Sequence, residues 1–192
     1  MKALIILAHP NPQSFNAAVL GTVKEELGKK GAEVKVKDLY AMQWNPVLSA
    51  SDFQQMLSGK TPDDIAREQT DVAWADTLVI ISPIWWYSFP AILKGYIDRV
   101  LGQGFAYEYT ASGPRGLLTG KRAAVITTTG ADENTAKQTG MMDAINTSIV
   151  NGIFSFCGFS DMKYHNSYAV PMVSDEERQK MLEQVRAFVK AL

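Results

Sequence analysis

Three short stretches of this chain concentrate side chains that could do chemistry. The first, His9-Pro10-Asn11-Pro12-Gln13-Ser14-Phe15-Asn16, sets a histidine, a hydroxyl and an amide where a helical pattern opens. Free N–H groups and the positive end of a helix dipole favour a phosphate at such a point, and Ser14, Asn16 and His9 can add donors. Ser14 or Asn16 could equally serve as an ordinary helix cap. The second, Ser82-Pro83-Ile84-Trp85-Trp86-Tyr87-Ser88-Phe89-Pro90, sets four aromatics between two prolines. Large flat side chains at a ligand-binding edge suit a flat aromatic cofactor such as the isoalloxazine ring of a flavin, although aromatics also mark subunit contacts. The third is Thr127-Thr128-Thr129-Gly130-Ala131-Asp132. Its hydroxyls and its glycine-freed backbone can bond the polar edge of a flavin. Reduced flavin carries charge near N1 and O2, so donors aimed there favour reduction.

These stretches gain meaning from the elements before them. Residues 3–8 are continuously apolar, as a strand covered on both faces should be. The spacing then predicts a helix over 14–30 that stops at Gly31, and an edge strand around Val34 and Val36. Residues 40–61 read as a long excursion with one short helix, followed by a helix over 63–74 and a buried strand over 78–81. A helix over 92–101, an aromatic and glycine-rich excursion or hairpin over 105–116, and a strand over 123–127 come next. A largely apolar helix over 143–156 precedes a fifth strand within 162–170, and Ser174 with Glu177 makes the capping box of a final helix to about 190. Strands alternating with helices imply right-handed crossovers and a parallel sheet. The expected fold is α/β, a flavodoxin-like three-layer sandwich with five parallel strands in the order 2-1-3-4-5, as one domain over 1–192. A Rossmann dinucleotide domain is disfavoured, because the turn at 9–14 contains no glycine for close approach to a pyrophosphate. In the flavodoxin-like arrangement all three stretches follow strand ends at the switch-point edge, where ligands sit.

Composition narrows the function classes. The 192 residues are 46% apolar and 20% charged with a net charge of -1, which gives no footprint for nucleic acid or a membrane surface. The first apolar run is too short to span a bilayer and is followed by no cleavage site. One cysteine, Cys157, allows no intrachain disulfide and suits a reducing, cytoplasmic setting. It reads as a small buried hydrophobe. His165 has no ligating neighbours at metal spacing, so no metal site is expected. Asp98 and Arg99 lie on a helix and read as solvated or structural.

The chain resembles the NAD(P)H:quinone oxidoreductase family, the DT-diaphorase-like branch of the flavodoxin-like flavoproteins. The resemblance runs through AHPNPQSFN from Ala8, DLYAMQWNP from Asp38, PIWWYSFPAILKGYIDRVL from Pro83, GFAYEY from Gly104, ITTTG from Ile126 and FCGF from Phe156. It implies a flavin enzyme that takes hydride from NADH or NADPH and passes it to a quinone-like acceptor. By that resemblance His9, Ser14, Phe15 and Asn16 match the flavin phosphate loop. Pro83, Ile84, Trp85, Trp86 and Tyr87 match the segment along the isoalloxazine, with Trp86 and Tyr87 beside the reacting ring. Thr128, Thr129, Gly130 and Ala131 match the loop at the pyrimidine edge. Tyr107, Tyr109 and Phe156 match aromatics that close the substrate pocket of a partner subunit, which implies a homodimer. Arg178 matches an arginine near the adenine end of FAD in some relatives.

The chain departs from the family pattern at several points. Ala131 replaces a glycine, and the stretch from Asp132 to Gly140 holds neither the tyrosine nor the histidine that animal members use for charge relay. Thr139 falls near the histidine position. Donors to reduced flavin are therefore expected from the loop backbone, Gly130 above all. The connection between Asn45 and Asp63 lacks a long insertion that touches FAD in those relatives, which points to FMN, while Arg178 keeps FAD as the alternative. Short bacterial members include ancillary subunits of potassium-efflux systems, so peripheral association with a transporter is one alternative role. A one-electron carrier of the flavodoxin type is another. Quinones, azo dyes and nitroaromatics would all fit an open aromatic pocket, and no basic cluster selects NADPH over NADH.

Overall fold

The continuous apolar runs become buried strands of one parallel sheet. In the computed structural model, which describes residues 1–192, the strands are Lys2–Leu7 (β1), Glu33–Asp38 (β2), Thr77–Pro83 (β3), Tyr107–Thr110 (β4), Gly113–Gly116 (β5), Arg122–Thr128 (β6) and Asp161–Ser167 (β7). β4 and β5 pair with each other as a separate antiparallel hairpin. The other five form the main sheet in the order β2-β1-β3-β6-β7, all parallel. With the hairpin set aside, this is the expected order 2-1-3-4-5. Every residue of β3, at the sheet centre, is buried, whereas β2 at the edge is only partly covered.

Alternation along each strand sends side chains to two layers. One face carries Ala3, Ile5, Leu7, Val79, Ile81, Ala124 and Ile126. It packs on Val19, Val23 and Leu27 of Phe15–Lys29 (α1) and on Val185 and Val189 of Asp175–Lys190 (α7). The other face carries Leu4, Ile6, Leu78, Ile80, Ala123 and Val125. It packs under Asp63–Trp74 (α3), Ala91–Val100 (α4) and the segment that leads to β7. The excursion after β2 holds one short helix, Ala50–Leu57 (α2), opened by a Ser49–Asp52 capping box.

That excursion lies hard against α4. A Cβ added to Gly95 would come within 2.1 Å of the Pro46 carbonyl oxygen, so a strap of chain crosses where α4 has no side chain. One turn on, the buried Arg99 guanidinium gathers the strap and two helices. It donates to Asp52 at 3.1 and 3.3 Å, to Asp64 at 2.6 Å and to the Asn45 carbonyl at 3.1 Å, and lies 5.0 Å from the Trp44 ring. The Arg99 hydrogen bonds hold the Asp52 carboxyl below the usual carboxylate range. Arg99 is thus structural, and it is not solvated.

The segment before β7 differs from the single helix expected over 143–156. A six-residue helix, Glu133–Gln138 (α5), opens on an Asp132 cap, and Met141–Ile145 (α6) runs directly into a π-helix at Asn146–Ser155. α5 is polar and buries Ala136 alone, so no apolar period marks it. The widened turns follow from the burial pattern. Met141, Ile145 and Ile149 are spaced by four, but the next buried residue, Phe154, comes five later. A five-residue step falls off the stripe of an α-helix, and an i→i+5 turn brings it back.

Two outcomes follow. Gly95→Ala should destabilise the fold by about 3 kcal/mol or more, since the backbone of the strap must move, and denaturant unfolding would read it. His165 on β7 packs its ring 5.6 Å from Phe188 of α7, with Nε2 buried and unpaired, and burial lowers its pKa from 6.5. The unfolded chain therefore binds a proton that the folded chain resists. The His165 contribution is intact above pH 6.5 and is lost as pH falls below it toward the folded-state pKa. The urea midpoint should fall with pH in that window, and His165→Leu should flatten the slope.

Candidate functional site

Because the strands are parallel, their carboxyl ends open on one edge. There the loops after β1, β3, β6 and β7 wall a cleft of about 310 Å³. The first three loops are the stretches singled out from sequence. The fourth supplies Val170 and Pro171, which sequence reasoning missed. The available signal was positional, since a loop after the fifth parallel strand must reach the same edge.

The first loop brings His9, Phe15 and Asn16 to the cleft. His9 Nδ1 faces its own turn, 3.1 Å from the Asn11 nitrogen and 3.3 Å from the Asn11 carbonyl oxygen; in the tautomer that accepts from the Asn11 N–H, Nε2 carries the hydrogen. Ser14 caps α1, its Oγ accepting from the Ala17 N–H at 3.2 Å, and it faces a neighbouring groove instead of this cleft. The capping function is thus the one its hydroxyl performs. The N–H groups of Phe15 and Asn16 have no internal partner, which leaves the positive end of a 15-residue helix open. The Asn16 amide is buried. Its Nδ2 donates to Thr128 Oγ1 at 3.0 Å, while its Oδ1 is buried without a partner. A half-turn of the amide would let Thr128 donate to Oδ1 and release Nδ2 as a donor.

The second loop continues β3 by one hydrogen bond, Ile84 N–H to the Thr128 carbonyl at 2.9 Å. It then folds into a two-residue hairpin. Trp85 and Ser88 exchange backbone bonds of 2.9 and 3.1 Å, and Trp86 and Tyr87 between them take φ of 52° and 62°. Positive φ at both central positions defines a type I′ turn, which normally selects Asn-Gly. Two large aromatics there store strain of order 1 kcal/mol or more each. Their N–H groups are unpaired. The structure separates the aromatics of this loop. Trp85 lines the cleft with its ring 6.2 Å from His9, Trp86 is 98% exposed, Tyr87 stands at the tip half exposed, and Phe89 is core.

The third loop places Thr128, Thr129 and Gly130 on the cleft. Its hydroxyl protons are largely spent within the protein. Thr127 donates to Asn166 Oδ1 at 2.8 Å, and Thr129 donates to the Ala131 carbonyl at 3.2 Å. The free donor is the Gly130 N–H, which has no internal partner, and a Cβ built on Gly130 meets no atom within 4 Å. Ala131 does not line the cleft; its carbonyl accepts from the Ala169 N–H at 2.9 Å.

Arg178 lies apart, in the adjoining groove of about 750 Å³ that shares Phe15, Val170 and Pro171 with the cleft. Asp175 and the Val170 carbonyl fix its guanidinium, with bonds of 2.8–3.1 Å. Tyr107, Tyr109 and Phe156 are not brought to the cleft of their own chain. They pack on each other, Tyr107 lying 5.7 Å from Tyr109 and 5.0 Å from Phe156. The hairpin that carries the tyrosines is seated by backbone contact, since a Cβ on Gly116 would lie 2.3 Å from the Gly158 nitrogen.

The family model of the flavodoxin-like fold matches residues 1–189. An uncharacterized NAD(P)H oxidoreductase of Haemophilus influenzae is 36% identical over 95% of this chain and 91% of its own length. The chain belongs to the NAD(P)H:quinone oxidoreductase family. Within it, the ribosyldihydronicotinamide dehydrogenase [quinone] of Homo sapiens is 35% identical over 94% of this chain and 87% of its own. The solved NAD(P)H:quinone oxidoreductase of Methanothermobacter marburgensis superposes with a TM-score of 0.90 at 28% identity, covering 99% of this chain and 96% of that one. The span of the family model takes in all four cleft-forming loops.

The type I′ hairpin offers a direct check on stored strain. Replacing Trp86 by Asn and Tyr87 by Gly together should stabilise the protein by about 1 kcal/mol, seen as a higher denaturant midpoint.

Proposed function

We propose that the cleft binds a flavin and that this protein is a two-electron oxidoreductase, drawing hydride from NAD(P)H and delivering it to a quinone-like acceptor. One observation carries the proposal. A single cleft has unpaired N–H groups at its helix end, on Phe15 and Asn16, and at its glycine loop, on Gly130, with the Trp85 ring as a wall between, and the hairpin that Trp85 opens carries two more on Trp86 and Tyr87. The buried, unpaired Asn16 Oδ1 and the open space beside Gly130 are what a missing polar ligand would leave. When bound, the flavin supplies the redox chemistry by accepting and returning hydride.

The chain's own residues do the rest. The α1 terminus and Asn16 hold the phosphate, and His9 Nε2 can add a donor. Pro83, Ile84 and Trp85 wall the ring and exclude water from one side. The Gly130 N–H would stand ready for negative charge on the reduced ring, preorganised and so free of reorganisation cost, and the unpaired turn amides of Trp86 and Tyr87 would supply further donors from the hairpin. The exposed faces of Trp86 and Tyr87 remain free for nicotinamide and acceptor.

The groove beside the cleft supports FAD, the alternative to FMN. It continues from the phosphate end, and Arg178 is held there ready for an adenylate. Tyr107, Tyr109 and the 39%-exposed Phe156 form an aromatic cluster with no role in their own cleft, which favours a homodimer in which each chain closes its partner's site.

An anaerobic titration of the purified protein tests the proposal. NADH or NADPH should bleach the flavin band, and benzoquinone should restore it. If neither nucleotide bleaches a fully loaded flavin, the oxidoreductase proposal fails. Mass analysis of the cofactor released on denaturation should give FAD; FMN would remove the role given to Arg178.

A further inference from the structure

Behind the glycine loop runs a chain of side-chain hydrogen bonds that the proposed chemistry does not use. Tyr164 and Asn166 on β7 point to the same layer as Thr127 and Thr129 at the end of β6, and Thr127 pairs with Asn166 in register. The Tyr164 hydroxyl lies 2.7 Å from Thr127 Oγ1. Thr127 donates to Asn166 Oδ1 at 2.8 Å, Asn166 Nδ2 donates to Thr129 Oγ1 at 3.1 Å, and Thr129 donates to the Ala131 carbonyl at 3.2 Å. A hydroxyl has one proton. Since Thr127 gives its own to Asn166, it must accept from Tyr164. The direction of every bond is therefore set, from Tyr164 toward the turn. Burial pushes the Tyr164 hydroxyl up to about 12, so it remains the protonated donor at the head of the chain.

Asn166 is the member that cannot be replaced by another small polar group. It accepts at Oδ1 and donates at Nδ2, two separate atoms of one planar amide, so it fixes the sense of both threonine hydroxyls. The Thr129 peptide is tied as well, its N–H to the Ser167 carbonyl at 2.9 Å and its carbonyl to the Val170 N–H at 3.1 Å. The amide on the far side of that polarised carbonyl is the Gly130 N–H, which opens on the cleft without a partner. Bonds that polarise one another strengthen the terminal donor.

We propose that Asn166 is a positioning residue for reduction of the bound cofactor: through Thr129 it holds the turn at 129–131 so that the Gly130 N–H stands ready for charge on the reduced ring. This rests on the placement of the flavin in the cleft. Hydride transfer gives the flavin two electrons and one proton and leaves NAD(P)⁺. The reduced ring is then an anion unless a second proton arrives from water. A fixed N–H favours that anion over the neutral oxidised ring, so Asn166 bears on the ratio of the two affinities more than on either alone.

The test uses flavin-loaded protein and three variants, Asn166→Leu, Thr127→Val and Thr127→Ser. Asn166→Leu should weaken binding of the reduced relative to the oxidised cofactor by about tenfold, which for a two-electron couple is a midpoint potential about 30 mV more negative. Thr127→Val should move it the same way, Thr127→Ser should keep the wild-type value, and the double variant Asn166→Leu, Thr127→Val should match the larger single effect. An unchanged or raised potential in both Asn166→Leu and Thr127→Val, or simple additivity in the double variant, overturns the proposal. The Gly130 amide resonance separates the two levels of failure. If flavin loading does not shift it, the cofactor is not at this loop and both proposals fall. If loading shifts it but the potentials stay put, the positioning role alone is wrong.

Discussion

Everything at this sheet edge hangs on the way three consecutive threonines at the end of β6 are tied to opposite sides. Strand alternation sends Thr128 toward α1, where it meets the buried Asn16 amide at 3.0 Å, and sends Thr127 and Thr129 to the other layer, where Asn166 joins them. The same strand end therefore fixes the helix terminus suited to a phosphate and the glycine loop suited to a polar ring edge. A net contribution of about 1 kcal/mol per bond is small against the whole fold. Its effect is directional: Thr127 and Thr129 commit their hydroxyl protons inward, Thr128 accepts from Asn16, and backbone N–H groups are the fixed donors the cleft offers a ligand. Backbone donors move less than hydroxyl rotors, which is what electrostatic preorganisation requires.

The legible part of the molecule is the part governed by local rules. Continuous apolar runs gave the central strands, the half-charged pattern around Val34 and Val36 gave an edge strand, and Ser174 with Glu177 makes both reciprocal bonds of its capping box. The helix over Asp63–Trp74 and the aromatic hairpin were readable for the same reason. What escaped reading depends on partners far away in the chain. The π-helix is invisible until Phe154, and not a residue one place earlier, is known to be buried. Val170 and Pro171 look like an unremarkable loop until the sheet order brings them beside Phe15. Asn166 looks like a polar interruption of a strand, and its value lies in a cross-strand register no local pattern encodes. The four aromatics near Trp85 shared one sequence signal but have different fates, because a hairpin turn sends alternate side chains to cleft, solvent and core.

The family motifs acquire physical reasons on this scaffold. In PAILKGYIDRV the glycine is where the strap of Asn45 and Pro46 presses on α4, and the arginine pairs with the buried Asp52 and with Asp64 at the edge of the layer that strap creates. Removing one partner of such a buried ion group costs about 3–5 kcal/mol, because the charge left behind has no water. GFAYEY leads into the β4–β5 hairpin, and the return strand of that hairpin meets FCGF backbone to backbone. Gly116 and Gly158 approach closely enough that neither tolerates a Cβ, and the Leu118 N–H bonds the Cys157 carbonyl at 2.9 Å beside them. The aromatic cluster of Tyr107, Tyr109 and Phe156 is thus mounted on a rigid joint.

Two anchors, one at each end of its loop, explain how a strained hairpin survives. Trp86 and Tyr87 sit in left-handed backbone that favours glycine or asparagine, and local energetics would relax them. Relaxation would have to splay the Trp85–Ser88 pair, yet neither end of the loop is free. At one end β3 is paired with β6 through Pro83 and extended by the Ile84 bond to Thr128. At the other end Pro90 opens α4, and α4 is clamped by the strap at Gly95 and by Arg99. The buried arginine lies about two turns into α4, and by fixing the helix that receives the chain it helps hold two unpaired amides and an exposed tryptophan at the mouth of the cleft. Stability invested on the far side of α4 is thereby converted into backbone geometry at the site.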